Sequence, residues 1–494
     1  MFRLILGAAI LVLASSASAR AADPIEPLLR TIDLNVGESQ TVELCDGSSA
    51  TVKLLALNES RDDIRGAVRR ADVVVEVNGE RKTLTAAYYR LPVEAGGVQI
   101  DCAVTRGCAT PEKNPWALDA DARFRLWPKN SPFIRPETFT YPVKQLWFAT
   151  DTQMANDPCY VNGGEAPGKT DIYYHWGLDV GGVEGKVEIV CATDGLVVSA
   201  RGETLESEKT GTPVKPRYDV VYVKDGRGWY YRYSHMQSID DNVKLGERIA
   251  MGSPMGILGK EGASGGWSHL HFDISAMQPS GRYGIVEAYA FYAQSYLQQH
   301  PLPLKTIARP HHVAWTDQTV TLDGSRSAGV NPLVQYHWTF TDGATAEGQS
   351  VQRRYDRPGT YSEILRVRDS EGHVDYDLAV VQVFNRDDPQ SLPPSIHAAY
   401  WPTRDLKVGQ EITFAVRSFQ IGKTEGHEEW DFGDGSPAVR VQSDGNAVTL
   451  AKDGYALTTH RYAKPGHYLV RVQRTNDRGE SAVGHVHVKI EGTP

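Results

Sequence analysis

The sequence predicts a mainly all-β protein built from antiparallel sheets. Short runs rich in β-branched residues, such as "DVVVEVNGERKTLTA" (72–86) and "VEIVCATDGLVVSA" (187–200), recur between glycine turns. After Pro303 one pattern of strands and turns occurs twice. Only "VEAYAFYAQSYLQQH" (286–300) predicts a helix, which Pro301 would end. We therefore expect an antiparallel central domain, a β-rich domain before it and two small β-sandwiches after it.

The amino terminus predicts a secretory signal peptide. Arg3 precedes an apolar run from Leu4 to Ala14, and small residues offer cleavage sites at 17–19 or 19–21. The run is too short to span a membrane, and no later run has spanning length. We expect residues 1–21 to be removed and the mature protein to be secreted or periplasmic, without a membrane span.

Composition limits the classes of partner. The chain has 494 residues, which suggests about three or four domains. Its formal net charge of −9 becomes −11 once Arg3 and Arg20 leave with the signal peptide. An acidic chain without a long Lys/Arg run argues against nucleic-acid binding.

Five cysteines are few for this length. In an oxidising compartment, Cys102 with Cys108 and Cys159 with Cys191 would form two local bridges and leave Cys45 free. The connectivity stays open, because spacing alone does not fix it. The spacings do not resemble a zinc site built from cysteines.

The N-terminal β-rich domain is expected over residues 22–134. Asn78-Gly79 lies between two alternating runs and predicts a hairpin. "RLWPKNSPFIRPETFTYP" (125–142) contains four prolines, which predicts a linker or a strapped surface segment. The central domain then covers residues 135–302.

The C-terminal part is a duplicated module. "YHWTFTDG" (336–343) and "EEWDFGDG" (428–435) share W-x-F-x-D-G, and "RYDRPGTYSEILRV" (354–367) and "RYAKPGHYLVRV" (461–472) share R-Y-x-x-P-G-x-Y. Both copies resemble PKD-type domains, which implies immunoglobulin-like β-sandwiches over residues 303–388 and 389–494. The second copy has a longer insertion between its signatures.

The aspartates of the first signature, Asp342 and Asp434, raise the question of calcium. One or two carboxylates do not make a cage of six or more oxygen ligands, so a turn-stabilising role is the better interpretation.

Histidines of the central domain lie in separate segments. His175 and Asp179 lie in "YYHWGLDVGG" (173–182), and His235 lies in "WYYRYSHMQS" (229–238). Glycines and β-formers disfavour a helix around His175, and on a flat strand the pair would lie roughly 13 Å apart. A bend at Gly177 would bring the two side chains together.

His269 and His271 lie in "GGWSHLHFDIS" (265–275). On a strand they point to one face, roughly 6.6 Å apart, while Phe272 and Ile274 bury the other. This predicts a histidine face in a groove. "GKEGASGG" (259–266) predicts tight turns, with glycines that let an extended peptide approach. Trp267 lines a substrate subsite or packs against residues 202–217.

Considered alone, each histidine motif is commonly structural. Together, H-x-x-x-D, Y-x-H-M and a glycine-rich turn before H-L-H-F closely resemble the lysostaphin/LytM-type zinc endopeptidases. The resemblance covers roughly residues 141–300. It implies an antiparallel peptidase fold with one zinc ion held by His175, Asp179 and His271. A fourth position stays open for water, as in catalytic sites.

The resemblance also implies a catalytic pair, His235 and His269. One would act as general base and the other would donate to the oxyanion or the leaving amine, and the assignment stays open. The implied function is hydrolysis of peptide cross-links in bacterial peptidoglycan. The alternatives are an extracellular metalloprotease acting on proteins and a wall-binding or surface-binding protein with a vestigial metal site.

The expected partners are peptidoglycan peptides and, through the PKD-type pair, a wall, a surface polysaccharide or a protein. The N-terminal domain would either cover the groove until removed or bind the wall. Both roles stay open at this point.

Overall fold

The computed structural model describes residues 24–87, 89–109, 114–155, 157–160 and 172–492, without the side chains of residues 158–160 and 172. The expected signal peptide, residues 1–21, lies outside them. Strands dominate the described part, which confirms the expected all-β fold class.

The N-terminal part forms two antiparallel sheets that pack face to face. Its strands are β1 (Arg30–Leu34), β2 (Ser39–Glu43), β3 (Ser49–Arg61), β4 (Val68–Val77), β5 (Glu80–Thr85), β6 (Val93–Ala95), β7 (Val98–Thr105) and β8 (Ala122–Pro128). One sheet has the order β1-β8-β7-β6 and the other β2-β3-β4-β5. Asn78 and Gly79, with φ of 47° and 86°, form the predicted two-residue turn between β4 and β5.

The N-terminal core extends into the central part. Tyr174 and Ile285 pack among residues of both N-terminal sheets. The amide of Val68 donates to Tyr174 Oη at 2.8 Å, and Arg125 pairs with the buried Glu287 at 2.9 Å. The N-terminal sheets and the central part therefore share a buried apolar and ionic interface.

The central part holds the site. Its elements are β9 (Thr152–Gln153), β10 (Pro158–Tyr160), β11 (Ile172–Tyr174), β12 (Leu178–Gly181), β13 (Glu188–Val190), β14 (Gly195–Ala200), β15 (Glu203–Thr204), β16 (Val221–Asp225), β17 (Tyr230–Ser234), β18 (Met236–Ile239), β19 (Arg248–Ile249), β20 (Pro254–Leu258), β21 (His269–Met277), β22 (Tyr283–Ile285) and α1 (Tyr289–Gln299). The main sheet has the order β15-β14-β16-β17-β21-β12-β9, and β13-β20-β18 form a smaller sheet.

The central core lies beneath β21. Leu270, Phe272 and Ile274 are fully buried and pack in one cluster with Phe291 and Tyr292 of α1. This is the face opposite the histidines, as the alternation predicts. The helix begins at Tyr289 and ends at Gln299, two residues before Pro301, so the helix prediction is confirmed.

The proline-rich segment after β8 differs from the linker prediction. Ile134, Phe139 and Tyr141 are buried in the central core. The amide of Phe133 donates to Gln294 of α1 at 2.6 Å. Aromatic and aliphatic residues between the prolines bind the segment to the core, so it is part of the central fold.

The C-terminal part consists of two sandwiches. The strands are β23 (Leu304–Lys305), β24 (His312–Trp315), β25 (Thr319–Asp323), β26 (Ala328–Gly329), β27 (Leu333–Thr339), β28 (Thr345–Glu347), β29 (Ser350–Arg354), β30 (Gly359–Asp369), β31 (Val374–Phe384), β32 (Ser395–Trp401), β33 (Ile412–Phe419), β34 (Glu428–Asp431), β35 (Val439–Val441), β36 (Ala456–His460), β37 (Gly466–Thr475) and β38 (Ser481–Ile490). A short parallel pairing of β30 with β38 joins one sheet of each sandwich.

The repeated signatures have the same role in both sandwiches. Trp338 and Trp430 are fully buried in the two cores. Asp342 accepts from the amide of Ala344 at 3.1 Å, and Asp434 accepts from the amide of Ser436 at 3.0 Å. These contacts support the turn-stabilising interpretation of the two aspartates.

The cysteines differ from the expected bridges. Cys45, Cys102, Cys108 and Cys191 are free thiols, and the Cys159 side chain lies outside the described residues. Strand β7 continues from Cys102 to Thr105, which adds roughly 10 Å of extended chain before the turn that holds Cys108. Burial raises the pKa of Cys108 to about 12 and that of Cys191 to about 11.

Candidate metal centre and active site

Two neighbouring strands bring a carboxylate and an imidazole face to face. β12 and β21 pair antiparallel, and in their register Asp179 lies opposite His271. His271 Nδ1 is 2.8 Å from Asp179 Oδ1. Sheet register therefore joins two residues that are far apart in sequence.

A bend at Gly177 brings His175 to the same point. Gly177 has φ +91°, and a Cβ there would lie 2.5 Å from the carbonyl oxygen of Phe272. His175 Nε2 lies 3.1 Å from Asp179 Oδ2 and 3.1 Å from His271 Nδ1. The close approach and the left-handed φ both require glycine at position 177. Gly177 is the middle residue of H-x-x-x-D, so the bend there turns His175 toward Asp179.

Hydrogen bonds orient both rings of this cluster. His175 Nδ1 is 3.2 Å from the carbonyl oxygen of Met154, to which it donates. His271 Nε2 is 3.1 Å from Asp273 Oδ2 and donates to that carboxylate. The opposite ring nitrogens, His175 Nε2 and His271 Nδ1, then present lone pairs toward Asp179.

The cluster has the geometry and the chemistry of a metal site. The ring nitrogens His175 Nε2 and His271 Nδ1 lie 3.1 Å apart, and they lie 3.1 and 2.8 Å from the two different oxygens of the Asp179 carboxylate. Tetrahedral zinc with bonds of 2.0–2.1 Å separates its ligands by roughly 3.3 Å. Two imidazole nitrogens and one carboxylate oxygen suit zinc and leave a fourth position. The side chains of His175, Asp179 and His271 are all buried.

The charge of the cluster also suits a cation. Burial by itself would raise the pKa of Asp179, but the nearby His175, His269 and His271 hold that pKa well below its usual range. The carboxylate therefore stays ionised at neutral pH and can act as a ligand.

The other two histidines lie beside the cluster. The ring centroids of His235 and His269 are 4.7 Å apart, and those of His235 and His271 are 6.2 Å apart. His235 Nδ1 donates to the carbonyl oxygen of Glu261 at 2.6 Å. His269 Nδ1 donates to the carbonyl oxygen of Trp267 at 3.0 Å. Each ring therefore keeps an Nε2 without a hydrogen in its neutral form.

Burial keeps both rings neutral. It lowers the pKa of His269 to about 4, although Asp179 opposes the shift. Burial, with His269 and His271 nearby, lowers the pKa of His235 well below its usual value. His235 also has φ +67°, a strained conformation for a residue with a side chain, and strain of this kind is concentrated at functional sites.

Comparison with family models assigns the parts of the chain. Residues 173–281 match peptidase family M23, and residues 302–383 and 398–488 each match a PKD domain. The chain carries an M23 peptidase domain followed by two PKD domains. The resemblance that the motifs carry is thereby confirmed, and the M23 match supports a peptidase, a class of hydrolase.

Solved structures show only distant likeness. Csd3 of Helicobacter pylori matches at 13% identity and a TM-score of 0.20, over 51% of this chain and 83% of its own. Latent PorU of Porphyromonas gingivalis matches at 9% identity and a TM-score of 0.19, over 74% of this chain and 35% of its own. Fibronectin(III)-like modules of Clostridium thermocellum CbhA match at 10% identity and a TM-score of 0.16, over 38% of this chain and 94% of their own. At these TM-scores the matches support no conclusion about function.

Among the helices of the described ranges, none combines the length and apolar character that a membrane crossing needs.

The histidine face of β21 in the M23 domain is covered, whereas the alternation predicts a groove. The side chains of His269 and His271 are only 3% and 8% exposed. The indole of Trp267 stacks on the His269 ring at 3.9 Å and 13°. The same indole lies 5.3 Å from the ring of His397 in the second sandwich, nearly perpendicular to it at 72°. Trp267 thus contacts two histidines, one from each domain.

Asp273 is a site residue that the sequence motifs do not include. It follows His271 by two positions on β21, so the signal in the sequence was H-x-H-x-D on one strand face. Asp273 also lies 3.3 Å from Arg232 Nη1 of β17. The backbone carbonyls of Met154, Glu261 and Trp267 carry no such signal, because any residue supplies a carbonyl.

Proposed function

We propose that this protein is a zinc-dependent endopeptidase, secreted or periplasmic, that hydrolyses peptide cross-links of bacterial peptidoglycan. The convergence of His175, Asp179 and His271 within 2.8 to 3.1 Å, inside an M23 peptidase domain, carries the proposal. His175 Nε2, His271 Nδ1 and the Asp179 carboxylate would hold one ion per peptidase domain.

Zinc bound there would act as a Lewis acid that lowers the pKa of a water and polarises the scissile carbonyl. The protein supplies the proton transfers. His235 and His269 both have a free Nε2 at neutral pH, because their Nδ1–H groups are bound to carbonyl oxygens. Either ring can take a proton from the attacking water and, as imidazolium, pass it to the leaving nitrogen.

The choice of peptidoglycan rests on the family of the domain, since M23 peptidases often act on this polymer. The PKD pair would hold the enzyme at a wall, a surface polysaccharide or a protein. No nucleic-acid partner is proposed, in keeping with the acidic net charge of −9.

The test is digestion of purified peptidoglycan, with released fragments identified by mass spectrometry. We expect new amino termini in the stem or bridge peptides, absent after chelation and absent with His271→Ala. His427→Ala replaces an exposed histidine of the second sandwich and serves as the matched control. Zinc content of each protein is measured in parallel.

Two results would reject the proposal. Cleavage of casein or elastin without release of wall fragments would indicate a protease of proteins. A folded protein that binds wall but neither holds zinc nor cleaves would indicate a binding protein with a vestigial site.

A further inference from the structure

The second sandwich contacts the loop that leads into the H-x-H strand. The amide of Ser268 donates to Tyr455 Oη at 2.8 Å. The carbonyl oxygen of Gly266 accepts from Arg417 Nη1 at 2.5 Å. The carbonyl oxygen of Gly265 accepts from Asn446 Nδ2 at 3.2 Å. Three backbone groups of the segment 265–268 are thus held by side chains from residues 389–494.

These side chains are themselves held in place. Arg417 is fully buried and forms two hydrogen bonds with Asp444, at 2.8 and 2.7 Å. It also donates to the carbonyl oxygens of Val448 and Thr449. A buried guanidinium with this many partners has one orientation, which makes it a rigid support for Gly266.

Tyr455 belongs to an ordered hydrogen-bond chain. Thr150 Oγ1 donates to the carbonyl oxygen of Ala398 at 2.6 Å, so it accepts from His397 Nε2 at 3.1 Å. His397 Nδ1 then accepts from the Tyr455 hydroxyl at 2.8 Å. The lone pairs of Tyr455 Oη are left for the amide of Ser268. In this hydrogen-bond network each O–H and N–H therefore has one acceptor.

The loop transmits this support to His269. Trp267, between Gly266 and Ser268, stacks on the His269 ring and accepts from its Nδ1–H through the backbone carbonyl. The same indole faces His397. The position of the His269 ring therefore depends on where the second sandwich holds the loop.

Glycines of the M23 domain make room for the sandwich. A Cβ on Gly266 would lie 2.2 Å from Asn446 Oδ1, and one on Gly181 would lie 2.6 Å from His397 Nε2. The space at Gly266, expected from the sequence to admit an extended peptide, is taken by Asn446.

The contact is specific to the second copy of the duplicated module. Asp444, Asn446 and Tyr455 all lie in the segment 436–460, between the two signatures. The corresponding segment of the first copy, residues 344–353, is much shorter and has no matching residues. The longer insertion of the second copy therefore supplies two of the three side chains that hold the loop, Asn446 and Tyr455, and β33 supplies Arg417.

We propose that the second sandwich is a positioning element of the active site, in which Tyr455 and Arg417 fix the loop 265–268 and, through Trp267, orient His269. This rests on the proposed function, in which His269 is a catalytic residue. The sandwich would then be required for turnover, in addition to any surface that it binds.

The first variant is Tyr455→Phe, which removes the acceptor of the Ser268 amide and keeps the ring. With a soluble cross-linked peptide from peptidoglycan, we expect kcat to fall on the order of tenfold while KM and zinc content stay unchanged. Tyr468→Phe is the matched control, because Tyr468 Oη donates to the carbonyl oxygen of Lys464 at the exposed edge of the same sandwich. Trp267→Phe should retain more kcat than Trp267→Ala, since it keeps a stacking ring.

The second readout needs no activity. In protein labelled with ¹³C at histidine Cε1, the stacked indole shifts the His269 resonance, which the spectrum of His269→Gln identifies. Tyr455→Phe should move this resonance and Tyr468→Phe should not. An unmoved resonance overturns the proposal, and so does a moved resonance with unchanged kcat.

The two proposals fail differently. If the wild-type protein cleaves no wall peptide, the proposed function falls. The His269 resonance then still decides the positioning role: a shift in Tyr455→Phe supports it and no shift overturns it.

Discussion

Asp179 and His271 lie opposite each other on adjacent antiparallel strands, with Oδ1 and Nδ1 2.8 Å apart. They are 92 positions apart in sequence, so the distance depends on the register of β12 against β21. A register slip of one residue would turn one of the side chains to the other face of the sheet. The metal centre is therefore as rigid as the middle of the main sheet, where hydrogen bonds on both sides hold β21.

Asp273 should tune metal affinity without being a ligand. Its carboxylate accepts from His271 Nε2 and so raises the basicity of the opposite nitrogen. We expect Asp273→Asn to weaken zinc binding on the order of 10–100-fold, as measured by competition with a chromophoric chelator. Asp241→Asn, at a fully exposed aspartate, should leave zinc affinity unchanged. Equal affinities in all three proteins would contradict the role given to Asp273.

Gly177 should be required for folding of the metal centre. Gly177→Ala introduces both a left-handed φ for alanine and a contact with the carbonyl oxygen of Phe272 at 2.5 Å. We expect the free energy of unfolding to fall by about 2–4 kcal/mol and zinc to be lost. Gly228→Ala is the control, since Gly228 has φ +76° with no atom within 4 Å of the added Cβ, and should cost about 1 kcal/mol. Urea unfolding measures the loss of unfolding free energy in both variants. Equal losses would show that the contact with the Phe272 carbonyl oxygen has no cost.

His397 should make the protein less stable in acid. Burial, with His269 nearby, lowers the pKa of His397 to about 3, whereas the unfolded value is about 6.5. The groups that contact its ring are the Tyr455 hydroxyl, Thr150 and Trp267, and the nearby His269 acts on it electrostatically. As the pH falls below 6.5, His397 binds a proton in the unfolded chain but stays neutral in the folded protein. The contribution of His397 to the free energy of unfolding is therefore complete above pH 6.5. It falls by about 1.4 kcal/mol per pH unit as the pH drops from 6.5 toward 3.

Urea unfolding between pH 7 and pH 4 measures this slope. His397→Gln removes the titrating group, so the variant should lose less stability than the wild type over the same range. His427→Gln, at an exposed histidine, should follow the wild type. Parallel slopes for all three proteins would show that His397 does not titrate as its burial requires.

The cysteines should react as thiols in a fixed order. Cys45 is partly exposed, while Cys102, Cys108 and Cys191 are buried. Burial raises the pKa of the thiols of Cys102, Cys108 and Cys191, which lowers their thiolate fraction at neutral pH. We expect iodoacetamide labelling followed by peptide mapping to find Cys45 modified before these three buried thiols. A peptide that joins Cys102 to Cys108 without reduction would contradict the free thiols.

Much of the fold could be predicted because it depends on local patterns. The Asn78-Gly79 turn, the helix before Pro301 and the duplicated signatures around Trp338 and Trp430 all follow from turn chemistry, periodicity or repetition. For the proline-rich segment the linker prediction was wrong, whereas the strapped surface segment agrees with the exposed residues 135–137 between the buried Ile134 and Phe139. Burial of Phe139 and Tyr141 depends on a core built by distant strands.

The sequence by itself determined the strands, the glycine at the bend and the motif that places His175, Asp179, His235, His269 and His271 in one domain. Only the tertiary structure decided that Asp179 faces His271, that Asp273 supports that ring, that the thiols stay apart and that the second sandwich reaches the loop before His269. The physical reason is that side-chain alternation and turn propensity act over a few residues, whereas sheet register and domain packing are set by the burial of many distant side chains together.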